Sequence, residues 1–216
     1  ITPHLDRLVR RGTTLQNAHI MGSACPAVCI PSRCMLMTGR ELFGLSGIGR
    51  EIADDHITLP EYLRSTGYET FHTGVWHLSR SGFNRSFSSG SSIRGLGIRS
   101  RLSDSEVRKQ PPPKGGWYEG CNGHWHHVVC DFDPSGEYPP ERAYFVDPPV
   151  EEFRLPFTIT EPRPGCEHSS ETFSNAAIDF LQHHRRTSDR PFFLHLPFVA
   201  VHDPLQAPQR CFDLYR

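Results

Sequence analysis

Residues 58–78 read TLPEYLRSTGYETFHTGVWHL, and the order of signals in this stretch decides the fold. Thr58 followed three residues later by Glu61 is a capping box, so a helix is expected to begin there. Leu59, Tyr62 and Leu63 give that helix an inward face, and Gly67 stops it. Tyr68 to Thr73 then reads as a strand that feeds Gly74-Val75-Trp76-His77. The same grammar recurs toward both ends. Thr2-Pro3, with Leu5, Leu8 and Val9 and then Gly12, reads as a threonine-capped amphipathic helix, followed by a candidate strand over Thr14 to Ile20. Phe173, Ala176, Ala177, Phe180, Leu181 and His184 keep helical spacing, and Phe192 to Val199 reads as a buried strand that ends just before His202-Asp203-Pro204. Helices alternating with strands predict an α/β layered fold with a mostly parallel central sheet flanked by helices. In such sheets ligands gather beyond the carboxyl ends of the strands, where His77 and His202 both fall.

Composition narrows the function classes. The 216 residues carry 23 Lys and Arg against 24 Asp and Glu, a formal net charge of -1, so no overall field selects nucleic acid or an acidic membrane. The longest apolar run, Pro191 to Val201, is too short to span a bilayer and is broken by His195 and Pro197. No signal peptide is visible, but Ile1 already stands inside a helix start, which is expected of a chain whose upstream segment is missing; export is not decided by it. Seven cysteines in no repeating frame suggest no disulfide scaffold. Between residues 79 and 116 the composition shifts to Ser, Arg, Gly and Pro, and this stretch is expected to be a flexible surface excursion within a single domain over 1–216. Residues 136–164, rich in Pro and charge, are expected to wrap the surface.

Residues 29–40, CIPSRCMLMTGR, carry the candidate chemistry. Pro31 suits the first position of a helix, which would leave Cys29 just before it, where unpaired backbone N–H groups point outward and favour anions. Arg33, four residues on, would share the first turn's face with Cys29. A nucleophile beside a guanidinium suits a tetrahedral oxyanion. A structural cysteine next to a surface arginine fits the same residues. Cys25 and Cys34 read as core thiols. Cys121, His124, His126 and Cys130 imitate a zinc set, but their spacing matches no familiar finger. Among 13 histidines, His126, His127, His183 and His184 read as surface or packing residues.

Cys29-Ile30-Pro31-Ser32-Arg33 with Thr38-Gly39-Arg40 resembles the signature of the type I sulfatases, formylglycine-dependent members of the alkaline phosphatase superfamily. Further stretches agree in order: TPHLDRLVRRGTTLQNAH resembles the helix and strand before the signature, and TLPEYLRSTGYETFHTGVWHL the segment usually ending in Gly-Lys-Trp-His-Leu. CDFDPSGEYPPE is similar to a substrate-side loop of some members, and PFFLHLPFVAVHDPLQAP to the strand with the family's His-Asp-Pro turn. The resemblance implies an alkaline-phosphatase-like fold, truncated here at both ends, and sulfuric ester hydrolysis. It implies that a maturation enzyme oxidises Cys29 to formylglycine, whose hydrate attacks the sulfur and then expels sulfate. It further implies a calcium ion held in part by the modified Cys29, with the remaining ligands outside the chain. In the same pattern Arg33 steadies the formylglycine, His77 takes the proton that releases sulfate, and His202 contacts the sulfate and protonates the leaving alcohol. The implied partners are a sulfated small molecule or polysaccharide and the maturation enzyme, with neither nucleic acid nor a membrane span; the family habit is export.

The chain departs from this pattern at Val75, where the family carries a lysine on a sulfate oxygen. Losing one such preorganised contact costs about 10²–10³ in rate. The family's paired aspartates on an early strand, its Asp-Asn pair and a second lysine are expected outside Ile1 to Arg216, and Asp54-Asp55 reads as a cap or a solvated pair rather than their replacement. The expectation is therefore a sulfatase fold with impaired activity. Two alternatives stand beside it: a phosphodiester or phosphonate ester hydrolase sharing the Cys-x-Pro-x-Arg signature, and a non-catalytic remnant.

Overall fold

Strand β1, Glu69–Val75, lies in the middle of a three-stranded sheet in the computed structural model, which describes residues 2–22, 28–45, 52–95, 129–136, 138, 167–201 and 207–215. Strand β2, Ser89–Arg94, and strand β3, Phe192–His195, flank it, and both run parallel to it. The described helices are α1 (Pro3–Arg11), α2 (Cys29–Thr38), α3 (Leu59–Ser65), α4 (Arg80–Ser86), α5 (Ser169–Thr187) and the single turn α6 (Gln209–Phe212). The parallel α/β layering expected from the sequence is present.

Side chains alternate across β1, and each parity meets a different layer. Phe71 stacks on Phe180 of α5, centroids 4.3 Å apart, and Glu69 reaches His184 on the same helix. On the other face Thr70 donates to the Ser86 carbonyl at the end of α4, and His72 meets the rings of Phe83 and Phe87. The core lies on this second face. Trp76, Phe83, Phe87 and Ile93 are buried there against Cys34 and Met37 of α2, with Leu45, Ile52, Leu78 and Tyr138 closing it. Cys34 is buried as expected; Cys25 lies outside the described residues.

Residues 80–94 correct the expected surface excursion. They form α4 and β2, and Phe83 and Phe87, one helical turn apart among serines, arginines and glycine, are fully buried. Two large rings outweigh a polar average, because burying each removes far more apolar area than the small residues around it carry. Residues 96–116 and 139–164 lie outside the described residues.

Helix α3 has the predicted box, with Thr58 Oγ1 accepting from Glu61 N at 3.2 Å and Thr58 N donating to Glu61 Oε2 at 3.1 Å. Its inward face is not the predicted one: Leu59 and Tyr62 are exposed. Instead the polar row Thr58, Glu61, Arg64 docks on α4. Thr58 Oγ1 lies 2.7 Å from Ser86 Oγ, Glu61 pairs with Arg85, and Arg64 donates to the carbonyls of Asn84 and Phe87. The carbonyls at the end of α4 need donors, and this row supplies them.

Helix α1 forms, but Thr2 gives no side-chain cap, donating to Asp6 Oδ1 instead. Leu5, Leu8 and Val9 are exposed, and Thr14 to Ile20 forms no strand. A strand needs a neighbouring backbone, and none of the described strands lies beside this stretch.

Candidate active site

Helix α2 starts two residues earlier than Pro31 suggests. Cys29 is its first residue, Val28 its N-cap, and Pro31 its third, a position where the missing N–H has no partner to lose. Cys29 is half-buried, and its Sγ lies 3.6 Å from Nδ1 of His77. One turn on, Arg33 Nη1 donates to the carbonyl of Val75 at 2.7 Å. Burial pushes the Arg33 guanidinium down from its ordinary value, and negative charge on Cys29 acts in the opposite sense. A cation taken from water this way interacts strongly with any anion brought to Cys29.

His77 reaches Cys29 because its backbone is bent out of the strand. It has φ 60°, a left-handed value that costs a non-glycine residue energy and persists only where surroundings enforce it. The enforcement is visible. Trp76 N donates to the Arg94 carbonyl at 2.7 Å and His77 N to the Gly95 carbonyl at 3.1 Å, so the β2 chain holds the turn from below. A Cβ on Gly95 would fall 2.6 Å from His77 N, so only glycine fits there. Gly74 does the same on the other edge: its φ is 104°, and a Cβ would lie 2.3 Å from the Pro197 carbonyl oxygen. That oxygen accepts from Val75 N at 3.0 Å, which carries the pairing past the end of β3.

The structure thus brings together Cys29, Arg33 and His77 from elements 48 positions apart in the chain at the widest pair. His202 lies outside the described residues, as do Asp203 and Pro204, so their approach to Cys29 is not described. Cys121, His124, His126 and His127 lie outside them too, whereas Cys130 makes an antiparallel bridge to Ile93 beside β2. His183 is exposed; His184 is buried, its Nδ1 2.9 Å from Glu69 Oε2 and its Nε2 2.8 Å from the Arg190 carbonyl. Asp54 and Asp55 are exposed on a turn held through its backbone by Arg85.

Calcium does not fit the described donors. Calcium takes oxygen ligands, while the side chains around Cys29 offer sulfur, imidazole nitrogen and a guanidinium. Among the described residues no group of three or more His, Cys, Asp and Glu side chains converges on a point that could hold a metal ion.

The sulfatase family model matches residues 1–216, the length of the chain. The chain belongs to the sulfatase family. Curated relatives of this sulfatase chain include mouse arylsulfatase J, 27% identical over 235 residues that take in 100% of this chain and 31% of the relative. Human arylsulfatase G is 27% identical over 222 residues, 96% of this chain and 38% of the relative. The sulfatase chain thus spans about a third of the length of these relatives. Two solved structures share its fold. One, Ps i-CgsB in complex with k-i-k-neocarrahexaose, superposes with TM-score 0.58 at 21% identity, covering 100% of this chain and 43% of that one. The other, solved in complex with its substrate D-glucosamine-2-N,6-O-disulfate, gives TM-score 0.57 at 16% identity over 99% of this chain and 32% of that one. The layered alkaline-phosphatase-like fold expected from the sequence is the one these neighbours share.

Sequence reasoning passed over two residues close to this site, His72 and His195, whose Nδ1 atoms lie 2.9 Å apart. The signal was present: His195 interrupts an apolar run, and His72 stands on the core-facing parity of a predicted strand.

Proposed function

We propose that this chain carries the nucleophile, its cationic partner and a proton acceptor of a sulfuric ester hydrolase, with Cys29 converted to formylglycine. The observation that supports this reading most is the triad at the mouth of α2: Cys29 Sγ 3.6 Å from His77 Nδ1, with Arg33 anchored on the Val75 carbonyl one turn away. Oxidised to the aldehyde and hydrated, the residue-29 side chain would supply an oxygen nucleophile and a second hydroxyl whose ionisation expels sulfate. Arg33, rigid and desolvated, offsets negative charge developing beside it without reorganising. His77 is within reach to accept a proton from a group at position 29. His202 is proposed to contact the sulfate and to protonate the departing alcohol. The remaining parts are proposals of the same kind: a sulfated small molecule or polysaccharide as substrate, a formylglycine-generating enzyme as maturation partner, and calcium as metal, held in part by the hydrated formylglycine at position 29, with its remaining oxygen ligands outside the chain.

Val75 argues for impaired turnover. Its half-buried side chain offers a sulfate oxygen no hydrogen bond, and a missing donor of that kind costs about 10²–10³ in rate. The experiment is co-expression with the maturation enzyme, mass spectrometry of the peptide containing residue 29, and turnover of an activated aryl sulfate beside a phosphodiester. The reading expects aldehyde at position 29, slow sulfate release abolished by Cys29→Ala, and faster release in Val75→Lys. An unmodified thiol with no turnover in either variant favours the non-catalytic remnant, and preference for the phosphodiester favours the other hydrolase.

A further inference from the structure

Behind the Cys29 cluster a buried imidazole meets a half-buried one. His72 is fully buried; its Nδ1 lies 2.9 Å from Nδ1 of His195 and its Nε2 3.1 Å from the carbonyl oxygen of Gly74. The direction of this chain of hydrogen bonds follows from its last member. A carbonyl only accepts, so Nε2 of His72 carries a proton. A neutral ring then has a bare Nδ1, and the proton between the rings belongs to Nδ1 of His195. His195 therefore donates to His72, which donates to Gly74.

The surroundings keep both rings neutral. Trp76, Phe83 and Phe87 pack on His72 with centroids 5.8, 5.2 and 5.0 Å away, and His195 lies nearly parallel to the Phe87 ring. These aromatic neighbours, from α4 and from just past the ends of β1 and α4, bring no charge, the Gly74 carbonyl brings an acceptor, and among the described residues the charged group acting on both rings is Arg33 of α2. Burial, and then the neighbouring His195, hold His72 well below its ordinary value; burial and then Arg33 push His195 down to about 4. A proton added at His72 Nδ1 would face the N–H of His195.

Gly74 and Val75 are consecutive, and their two carbonyls are held by different partners: His72 on the first, Arg33 on the second. Gly74 has the least intrinsic backbone restraint of any residue type, and it sits at the register irregularity between β1 and β2. We propose that the neutral His195–His72 pair is a positioning element for Arg33: by fixing the Gly74 carbonyl it aims the Val75 carbonyl at the guanidinium. This role is independent of the sulfatase reaction.

Two measurements on the unmodified chain test it. In spectra of the chain with 15N-labelled histidine and arginine, His72 is expected as the Nε2–H tautomer and His195 as the Nδ1–H tautomer at pH 7. The carbonyl-bound Nη–H signal of Arg33 should be present at pH 7 in the unsubstituted chain and lost in His195→Leu. Reversed tautomers, or an Arg33 signal unchanged in folded His195→Leu, overturn the proposal. The second measurement is alkylation of Cys29 by anionic iodoacetate relative to neutral iodoacetamide, read on its peptide. His195→Leu should lower that ratio about fivefold, as Arg33→Ala does, while His195→Asn, which keeps a donor near the Nδ1 position, should restore it. A folded His195→Leu with an unchanged ratio also overturns the proposal, and if that variant does not fold the spectra of the unsubstituted chain decide.

Discussion

The two faces of β1 are built from similar residues and do different work. Toward α5 the strand offers Phe71, stacked on Phe180, and Glu69, paired with His184. Toward α4 it offers Thr70 and His72, enclosed by Trp76, Phe83 and Phe87. Each face thus holds aromatic rings and a buried histidine. On the α5 face the histidine has a carboxylate partner and the packing is open to water at Leu181 of α5 and Phe192 of β3. On the α4 face the polar partners of the histidines among the described residues are each other, a carbonyl and a nearby guanidinium. The closed face is the one that continues into Cys29, Arg33 and His77. Closure there removes competing water, and a charge next to it interacts more strongly for that reason.

The sharpest way to break this contrast is to open a hole on each side. Phe83 is fully buried and touches His72, Trp76, Phe87 and Tyr138 through ring contacts. Phe83→Ala is expected to cost about 4–5 kcal/mol in chemical denaturation, the upper part of the range for such truncations. Phe180→Ala on the α5 face should cost about 3 kcal/mol, because its surroundings border solvent and can relax. Equal losses would show that the two faces are equally closed.

Acid separates the faces next. His195 is held down to about 4 in the folded chain, against an ordinary value near 6.5 when unfolded. Below pH 6.5 the unfolded chain binds a proton that the folded chain refuses, so stability is complete above about pH 6.5 and is lost progressively down to about pH 4. The loss attributable to His195 is roughly 3 kcal/mol, with His72 acting in the same direction. Denaturation series across this range should show it, and His195→Asn should flatten the profile. On the α5 face Glu69→Gln, which keeps the shape and one hydrogen bond to His184, is expected to cost about 1–2 kcal/mol at neutral pH.

The same contrast explains what was legible in the sequence. The α5 face could be read directly, since Phe173, Ala177, Phe180 and His184 recur at helical spacing and are buried. The motif residues Cys29, Arg33 and His77 were legible as residue types, but their meeting was not: it depends on a left-handed His77 and on Gly95, just past the end of a strand hidden in a serine- and arginine-rich stretch. Composition averages over such a stretch, whereas packing is decided by its two or three largest side chains. The His72–His195 contact was invisible because it joins strands 123 positions apart, and periodicity carries no information about which buried polar residues will find each other. The inward face of α3 was misread for a related reason. Its apolar spacing was sound, but the orphan carbonyls closing α4 took the polar row instead.

The docking of α3 on α4 carries the smallest effect and a clean separation of two roles. Thr58 Oγ1 accepts from Glu61 N and lies against Ser86 Oγ, whose own proton goes to the Gly82 carbonyl. With both Ser86 interactions in place, the Thr58 hydroxyl must be the donor between them, so one oxygen caps α3 and ties it to α4 together. Thr58→Val keeps the shape and removes both functions, and is expected to cost about 1 kcal/mol, with Ser86 left as a buried acceptor without a donor. Thr58→Ser keeps the oxygen and should stay within a few tenths of a kcal/mol of the parent. Amide exchange at Glu61 distinguishes the roles: if only the cap matters, Thr58→Val speeds exchange at Glu61 and leaves Ser86 and its neighbours in α4 untouched, whereas a shared role loosens both helices at once.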